Sequence, residues 1–392
     1  MNNKLGVSHL GWDMAQDLGQ AIHVNLKEDL YYVRDQVGIS AGYAHELLFG
    51  LEYGTALIKV GVDAPKAIPS DFTTDPNNTV AEKISFHDRF SVNFGSVFAK
   101  DRWKLFEPFT LVIGGRASYE DYLHTSEYEP RLSAEYQASK ETLVTAGWGK
   151  YHQFPQGYEV IPKMGNPGLD NIKADHYNLG IERLLTEGWS TRFEVYYKDL
   201  YDLVVPDVEK NYVNGGSGKA YGAELLIKKN RTESWSGWLS ATYSRTERRN
   251  DLTGEKFPYS YDQPIVLNLV YEWQFRPQWT FGAKWRYQSG APYTPVIGTY
   301  TQIYTDATGT HSLIRPQYGE IGSERLPEYH RLDLRVARNF VFDTSKMSVY
   351  LELINAYDHK NISNYSYSDS YTTKKPVEQL PIMPAFGIMA EF

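Results

Sequence analysis

From its last residue toward its first, the sequence resolves into amphipathic strands joined by connections that alternate in length, short then long, along the whole chain. Few folds accept such a pattern. Alternating apolar and polar residues give each strand one dry side and one wet side. Alternating connection lengths gather tight turns on one rim and long loops on the other, as a membrane-spanning β-barrel requires. The turns fall near 343–346, 274–278, 230–234, 186–188, 138–141, 102–108 and 44–46. Loops lie near 358–380, 290–327, 247–262, 203–218, 152–173, 120–128, 61–82 and 14–29. Seven turns and eight loops predict an all-β fold of sixteen antiparallel strands, with both termini on the short-turn side.

The faces of the strands say what surrounds them. In 279–288, Trp279, Phe281, Ala283, Trp285 and Tyr287 point one way, while Thr280, Gly282, Lys284, Arg286 and Gln288 point the other. The pattern recurs with Leu332, Leu334 and Val336 against Arg331, Asp333 and Arg335, and with Val349, Leu351 and Leu353 against Tyr350 and Glu352. Phe193, Val195 and Tyr197 likewise oppose Arg192, Glu194, Tyr196 and Lys198. A water-soluble sandwich would serve with strands of about five or six residues. Here the stretches 29–44, 46–61 and 85–100 are long enough to cross a bilayer at a tilt, which takes roughly 9–11 residues. In hydrocarbon every backbone amide needs a partner, so such strands call for a closed cylinder with the apolar face on lipid. The polar residues Arg116, Glu194, Lys198, Glu224, Lys284, Arg286, Arg331, Asp333, Arg335 and Glu352 are then expected to face the interior.

Composition agrees and excludes alternatives. No run of eighteen apolar residues exists, so helical spans are ruled out. The 31 Tyr and 9 Trp suit a protein with two membrane–water boundaries to anchor. Cysteine is absent, which removes disulfides, thiolate zinc sites and thiol catalysis. A formal charge of −8 argues against nucleic acid as a partner. The opening Met1-Asn2-Asn3-Lys4 leads into polar sequence rather than an apolar export segment. The chain is therefore expected to be processed, or to be the C-terminal part of something longer.

Several ordered motifs carry a resemblance. Asn166-Pro167-Gly168-Leu169 precedes Ala174-Asp175-His176-Tyr177-Asn178-Leu179-Gly180-Ile181-Glu182. Glu194-Val195-Tyr196-Tyr197-Lys198 leads to Ala220-Tyr221-Gly222-Ala223-Glu224. Ser289-Gly290-Ala291-Pro292-Tyr293-Thr294-Pro295, then Leu326-Pro327-Glu328-Tyr329-His330-Arg331-Leu332-Asp333-Leu334-Arg335, then Asn355-Ala356-Tyr357 complete the series. In this order they resemble the TonB-dependent outer-membrane receptors, over nearly the whole chain. The resemblance implies the C-terminal portion of a 22-stranded barrel, with the family's plug domain, coupling segment and about six first strands without counterpart here. It also implies a location in the bacterial outer membrane, contact with its lipid and lipopolysaccharide, a small-molecule nutrient ligand, and the inner-membrane transducer TonB as partner of the full-length protein. Sixteen strands taken from a larger ring are expected to leave an open or strained cylinder, which pairing between residues 4–12 and 385–392 would disprove.

No catalytic constellation is legible. His330 and Asp333 fall on opposite faces by strand parity, and Gly215-Gly216-Ser217-Gly218-Lys219 departs from a phosphate loop at Val213 and Ala220. The histidines are dispersed, so neither a metal site nor a cofactor is expected. Candidate ligand contacts lie on the long loops: Tyr293, Tyr300, Tyr304, His311, Arg315 and Tyr318 in one, and Tyr365, Tyr367, Tyr371, Lys374 and Lys375 in another. Tyr-rich surfaces give large contact area for little lost entropy, although the same rings also serve to pack loops together. Asp71, Asp75, Asn77 and Asn78 read as a solvated acidic loop, with calcium ligation the alternative. Arg248, Arg249 and Lys256, with Arg315, offer charge to an anionic ligand or to lipopolysaccharide phosphates. The expected function is a non-enzymatic receptor and transporter for a scarce nutrient, most often a ferric siderophore by family; the alternative is a passive sixteen-stranded porin. On this reading Phe281→Lys should cost about 2–4 kcal/mol and Gln288→Lys almost nothing.

Overall fold

A computed structural model describes residues 2–17, 23–67, 70–73, 79–186, 188–306 and 309–391. Eleven long strands come first: β1 (Asn2–Asp17), β2 (His23–Ala41), β3 (His45–Ala67), β4 (Thr79–Phe106), β5 (Phe109–Glu120), β6 (Thr125–Gln137), β7 (Thr142–Gln153), β8 (Ile172–Leu184), β9 (Trp189–Asp207), β10 (Asn211–Lys229) and β11 (Trp235–Asn250). The short β12 (Lys256–Pro258) lies in a loop, and β13 (Ile265–Arg276) and β14 (Trp279–Gln288) resume the series. The next loop holds β15 (Pro292–Tyr293), β16 (Val296–Asp306), β17 (Gly309–Tyr318) and β18 (Glu324–Arg325). After β19 (Tyr329–Val341) and β20 (Lys346–Ile354), the last loop holds β21 (Ile362–Tyr367) and β22 (Lys374–Glu378), and β23 (Met383–Glu391) closes the order. The one helix among the described residues, α1, is Gly157–Val160.

Sixteen long strands plus β12 form one antiparallel sheet in which each long strand pairs with its neighbours in sequence, as the alternation predicted. Among the described residues β1 pairs only with β2, and β23 only with β20. The cylinder is therefore open, in line with the expected open or strained cylinder.

Register confirms that the strands have two chemically distinct sides. Leu239, Leu269, Trp285 and Leu332 lie in one cross-strand row, and Val336, Leu351 and Phe386 in another. Leu269, Val336, Leu351 and Phe386 in these rows are exposed, Leu351 at 62% and Phe386 at 85%, and Leu239, Trp285 and Leu332 are half-buried. Among the described residues no second layer covers them, so hydrocarbon is the solvent that suits them. On the opposite side Lys284 faces Asp333, and Arg335 faces Glu352. Glu52 is almost fully buried there, held by Arg34 at 3.3 Å, Arg116 at 2.5 Å and the Ser96 hydroxyl at 3.0 Å. Glu129 is held by Arg131 and His152, each at 2.8 Å. A buried carboxylate must find such partners, because an unpaired charge in a water-poor setting is strongly unfavourable.

One detail corrects the sequence reading and another adds to it. Segment 203–218 is not a loop: β9 and β10 run through it, leaving a turn at 208–210, and the ladder shifts register between Asn214 and Gly218. Leu203, Val204, Val205 and Tyr212 are buried in this hairpin, and that burial outweighs the loop signal of the glycines. The long loops 290–327 and 358–380, whose internal conformation the sequence left open, contain further hairpins, β16 with β17 and β21 with β22.

Candidate functional site at the long-loop rim

The apolar core of this molecule lies where a loop turns inward. Segment 154–171 leaves β7 and folds over the polar side of the sheet instead of away from it. Its Ile161 and Met164 pack on Leu26, Val60, Val62, Ile84, Phe86 and Phe90 from β2, β3 and β4. Its Val160 and Leu169 pack with Val204 and Tyr212 from β9 and β10. The segment thus bridges two walls five or more strands apart, which makes the polar side the enclosed one. Polar bonds lock it: Asn166 Nδ2 donates to the Tyr212 carbonyl at 2.8 Å, Asn211 Nδ2 to the Gly165 carbonyl at 3.1 Å, and the Tyr122 hydroxyl to the Val160 carbonyl at 3.3 Å. Gly165 is required because a Cβ there would sit 2.0 Å from the Glu159 carbonyl oxygen.

Beneath this strap is a cavity of about 540 Å³ lined by Asp71, Phe72, Gln153, Phe154, Tyr158, Glu159, Arg248 and Tyr259 among others. Ser70, Asp71 and Phe72 reach into it from the β3–β4 connection, and Phe72 meets Phe257 of β12 edge-on at 5.4 Å. The Arg248 guanidinium lies 3.9 Å over the Tyr259 ring. Burial, with the nearby Asp71 charge adding to it, pushes the Glu159 carboxyl up to about 7, against the hydrogen bond from the Gln156 amide. Burial likewise raises Asp71, opposed by Arg248 and Tyr259, and lifts the Tyr158 phenol to about 12.

The sequence candidates fall into separate places. Tyr293 and Tyr365, from different loops, come together with ring centroids 5.3 Å apart. Lys374 joins them, donating to the Tyr293 hydroxyl at 2.7 Å and sitting 3.9 Å over the Tyr365 ring, and Tyr293 also bonds Glu324. Tyr367 and Tyr371 form a second pair at 6.2 Å. Tyr300 is exposed on the β16–β17 hairpin opposite Arg315, whose Nε donates to Gln302 at 2.9 Å. In the same hairpin His311 stands opposite Tyr304 in register, and Tyr318 is half-buried.

Of the acidic loop, Asp71 bounds the cavity, while Asp75, Asn77 and Asn78 lie outside the described residues. Arg248 is turned inward rather than toward a surface phosphate; Arg249 pairs with Asp251 at 3.3 Å, and Lys256 is exposed. Register puts Arg116, Glu194, Lys198, Glu224, Lys284, Arg286, Arg331, Asp333, Arg335 and Glu352 on the polar face. His330 stacks on His359 at 3.6 Å, away from Asp333, and no group of three metal-ligating side chains occurs among the described residues.

Sequence reasoning missed the strap, the Glu159–Asp71 pair, and Asp262, which is 2% exposed and bound by Arg245, Arg325 and the Thr246 amide. The Val160-Ile161 pair followed by Gly165-Asn166-Pro167-Gly168 was the available signal, an apolar step next to tight-turn residues.

The TonB dependent receptor-like β-barrel family model matches residues 8–356. The chain belongs to this family. Solved structures similar to this receptor barrel include FpvA of Pseudomonas aeruginosa bound to a heterologous pyoverdine, at 16% identity and TM-score 0.63, covering 98% of this chain and 52% of that one. The ferric enterobactin receptor PfeA of the same organism is similar at 14% identity and TM-score 0.66, covering 94% and 55%. The outer membrane transporter YddB of Escherichia coli stands at 14% and 0.63, covering 94% and 54%. At these identities the likeness concerns the fold. The receptor barrel spans about half the length of these structures, and no curated protein matches it. Family and neighbours are outer-membrane receptors and transporters rather than enzymes.

Proposed function

We propose that this barrel captures a scarce small-molecule nutrient, a ferric siderophore first among the candidates, for energy-coupled uptake across the outer membrane. The family match over residues 8–356 carries the reading. The aromatic groups on the long-loop rim support it: Tyr293, Tyr365 and Lys374 form one cluster, Tyr367 and Tyr371 another, and Tyr300 with Arg315 presents a third. Ligand contact is assigned to these groups together with Tyr304, His311 and Tyr318. In this reading residues 1–392 are one barrel domain, the apolar rows meet lipid and lipopolysaccharide, both termini lie in the periplasm, and TonB engages the full-length protein.

The test is binding of a panel of ferric siderophores, with cobalamin and oligosaccharides as comparators, to the protein in outer-membrane vesicles. Saturable binding of one class, weakened at least about tenfold by Tyr293→Ala with Tyr365→Ala, supports the proposal. Binding of none, together with large steady conductance of the intact natural protein in planar bilayers, would establish the passive porin instead.

A further inference from the structure

Segment 154–171 touches both walls of the enclosed polar side, yet its only acidic side chain facing the cavity is Glu159, set against a second carboxyl, Asp71, from another loop. We infer that this segment is a proton-controlled strap across the mouth of the barrel, docked while Glu159 is neutral and released when Glu159 becomes charged. The inference is independent of which ligand the receptor takes.

The geometry supplies the coupling. Glu159 lies in α1, one residue from Val160, which is 1% exposed in the β9–β10 cluster, and two from Ile161 in the β2–β4 cluster. A charge forming there acts on both docking points at once. The groups around it are Tyr158 on its own helix, Asp71 from the β3–β4 connection, Arg248 at the end of β11, Tyr259 after β12, and Tyr212 of β10. Arg248 is committed to Tyr259 and Asp71, so it does not neutralise Glu159. The Gln156 backbone amide donates to the Glu159 carboxyl at 2.7 Å.

The sign follows from linkage. Docked, the carboxyl titrates at about 7; released into water, at its ordinary 4.5. The docked state binds the proton more tightly, so docking is fully favoured below about pH 4.5 and is lost as pH rises through about 7. Full linkage would change the docking equilibrium by up to about 300-fold at pH 8; because Glu159 is only half-buried, screening lowers this to about tenfold or more.

The chain contains no cysteine, so Lys163→Cys gives a unique thiol in the strap for a nitroxide label. Electron paramagnetic resonance of the labelled protein in outer-membrane vesicles then reads the ratio of mobile to immobile label from pH 4.5 to 8.5. The expected result is a rise of about tenfold or more with a midpoint near 7, and its disappearance in Glu159→Gln, which stays immobile throughout. Asp71→Asn, which removes the repelling charge, should move the midpoint downward and guards against a trivial folding defect in the first variant. Heat-modifiable migration on gels checks that each variant folds. A mobile fraction that is flat across the range, the same midpoint in Glu159→Gln, or release on acidification would each overturn the proposal.

Discussion

Substituting Leu351 by Lys tests which side of the sheet meets hydrocarbon. Leu351 is 62% exposed, lies between Val336 and Phe386 in register, and stands five residues above the start of β20 at the short-turn rim. At about 3.3 Å per residue and a tilt near 40°, it sits roughly 13 Å above that rim, halfway up an apolar band of about 25 Å. A cation at that depth has no water and no partner on its face, and should destabilise the barrel by about 2–4 kcal/mol. The adjacent Glu352→Gln points to the polar side, where it loses only a charge opposite Arg335, an effect of about 1 kcal/mol or less. Denaturant titrations of protein folded into phospholipid vesicles, followed by tryptophan fluorescence, give both values. Equal costs for the two variants would refute the face assignment. A wild-type protein that stays monomeric in water without detergent would refute it as well.

Other perturbations probe the rim. Asp262→Ala strips Arg245, Arg325 and the Thr246 amide of their shared acceptor, so it should cost about 1–3 kcal/mol locally and appear as lost hydrogen-exchange protection in segments 251–264 and 289–328. Gly165→Ala drives a methyl group into the Glu159 carbonyl, and the nitroxide at position 163 should become mobile at every pH. Lys374→Met removes the cation from the Tyr293–Tyr365 pair, a loss of about 1 kcal/mol, seen as faster exchange in the β21–β22 hairpin. If exchange there is unchanged, the cluster does not join the two loops.

The position of this chain among membrane barrels was legible because β-strand geometry is local. A period of two assigns Lys284, Arg286, Asp333 and Arg335 to one side from sequence alone, and the register agrees residue by residue. Turn positions such as 138–141 and 230–234 followed from the same logic, since a hairpin connects neighbours in sequence. Loops do not obey that rule. The Tyr293–Tyr365–Lys374 cluster joins residues from separate loops, and nothing periodic links them.

The sequence by itself determined strand number, order, face and the family. Only the tertiary structure decided that segment 154–171 turns inward, that Asp71 from a distant connection stands against Glu159, and that Arg248 lies under cover instead of on the surface. The physical reason is that a strand's neighbours are fixed by adjacent hairpins and the bilayer, whereas a loop's conformation depends on which buried surfaces it finds across the mouth. Those surfaces, Phe86 and Val60 on one wall and Tyr212 and Val204 on the other, come within reach of one segment only after the sheet has curved.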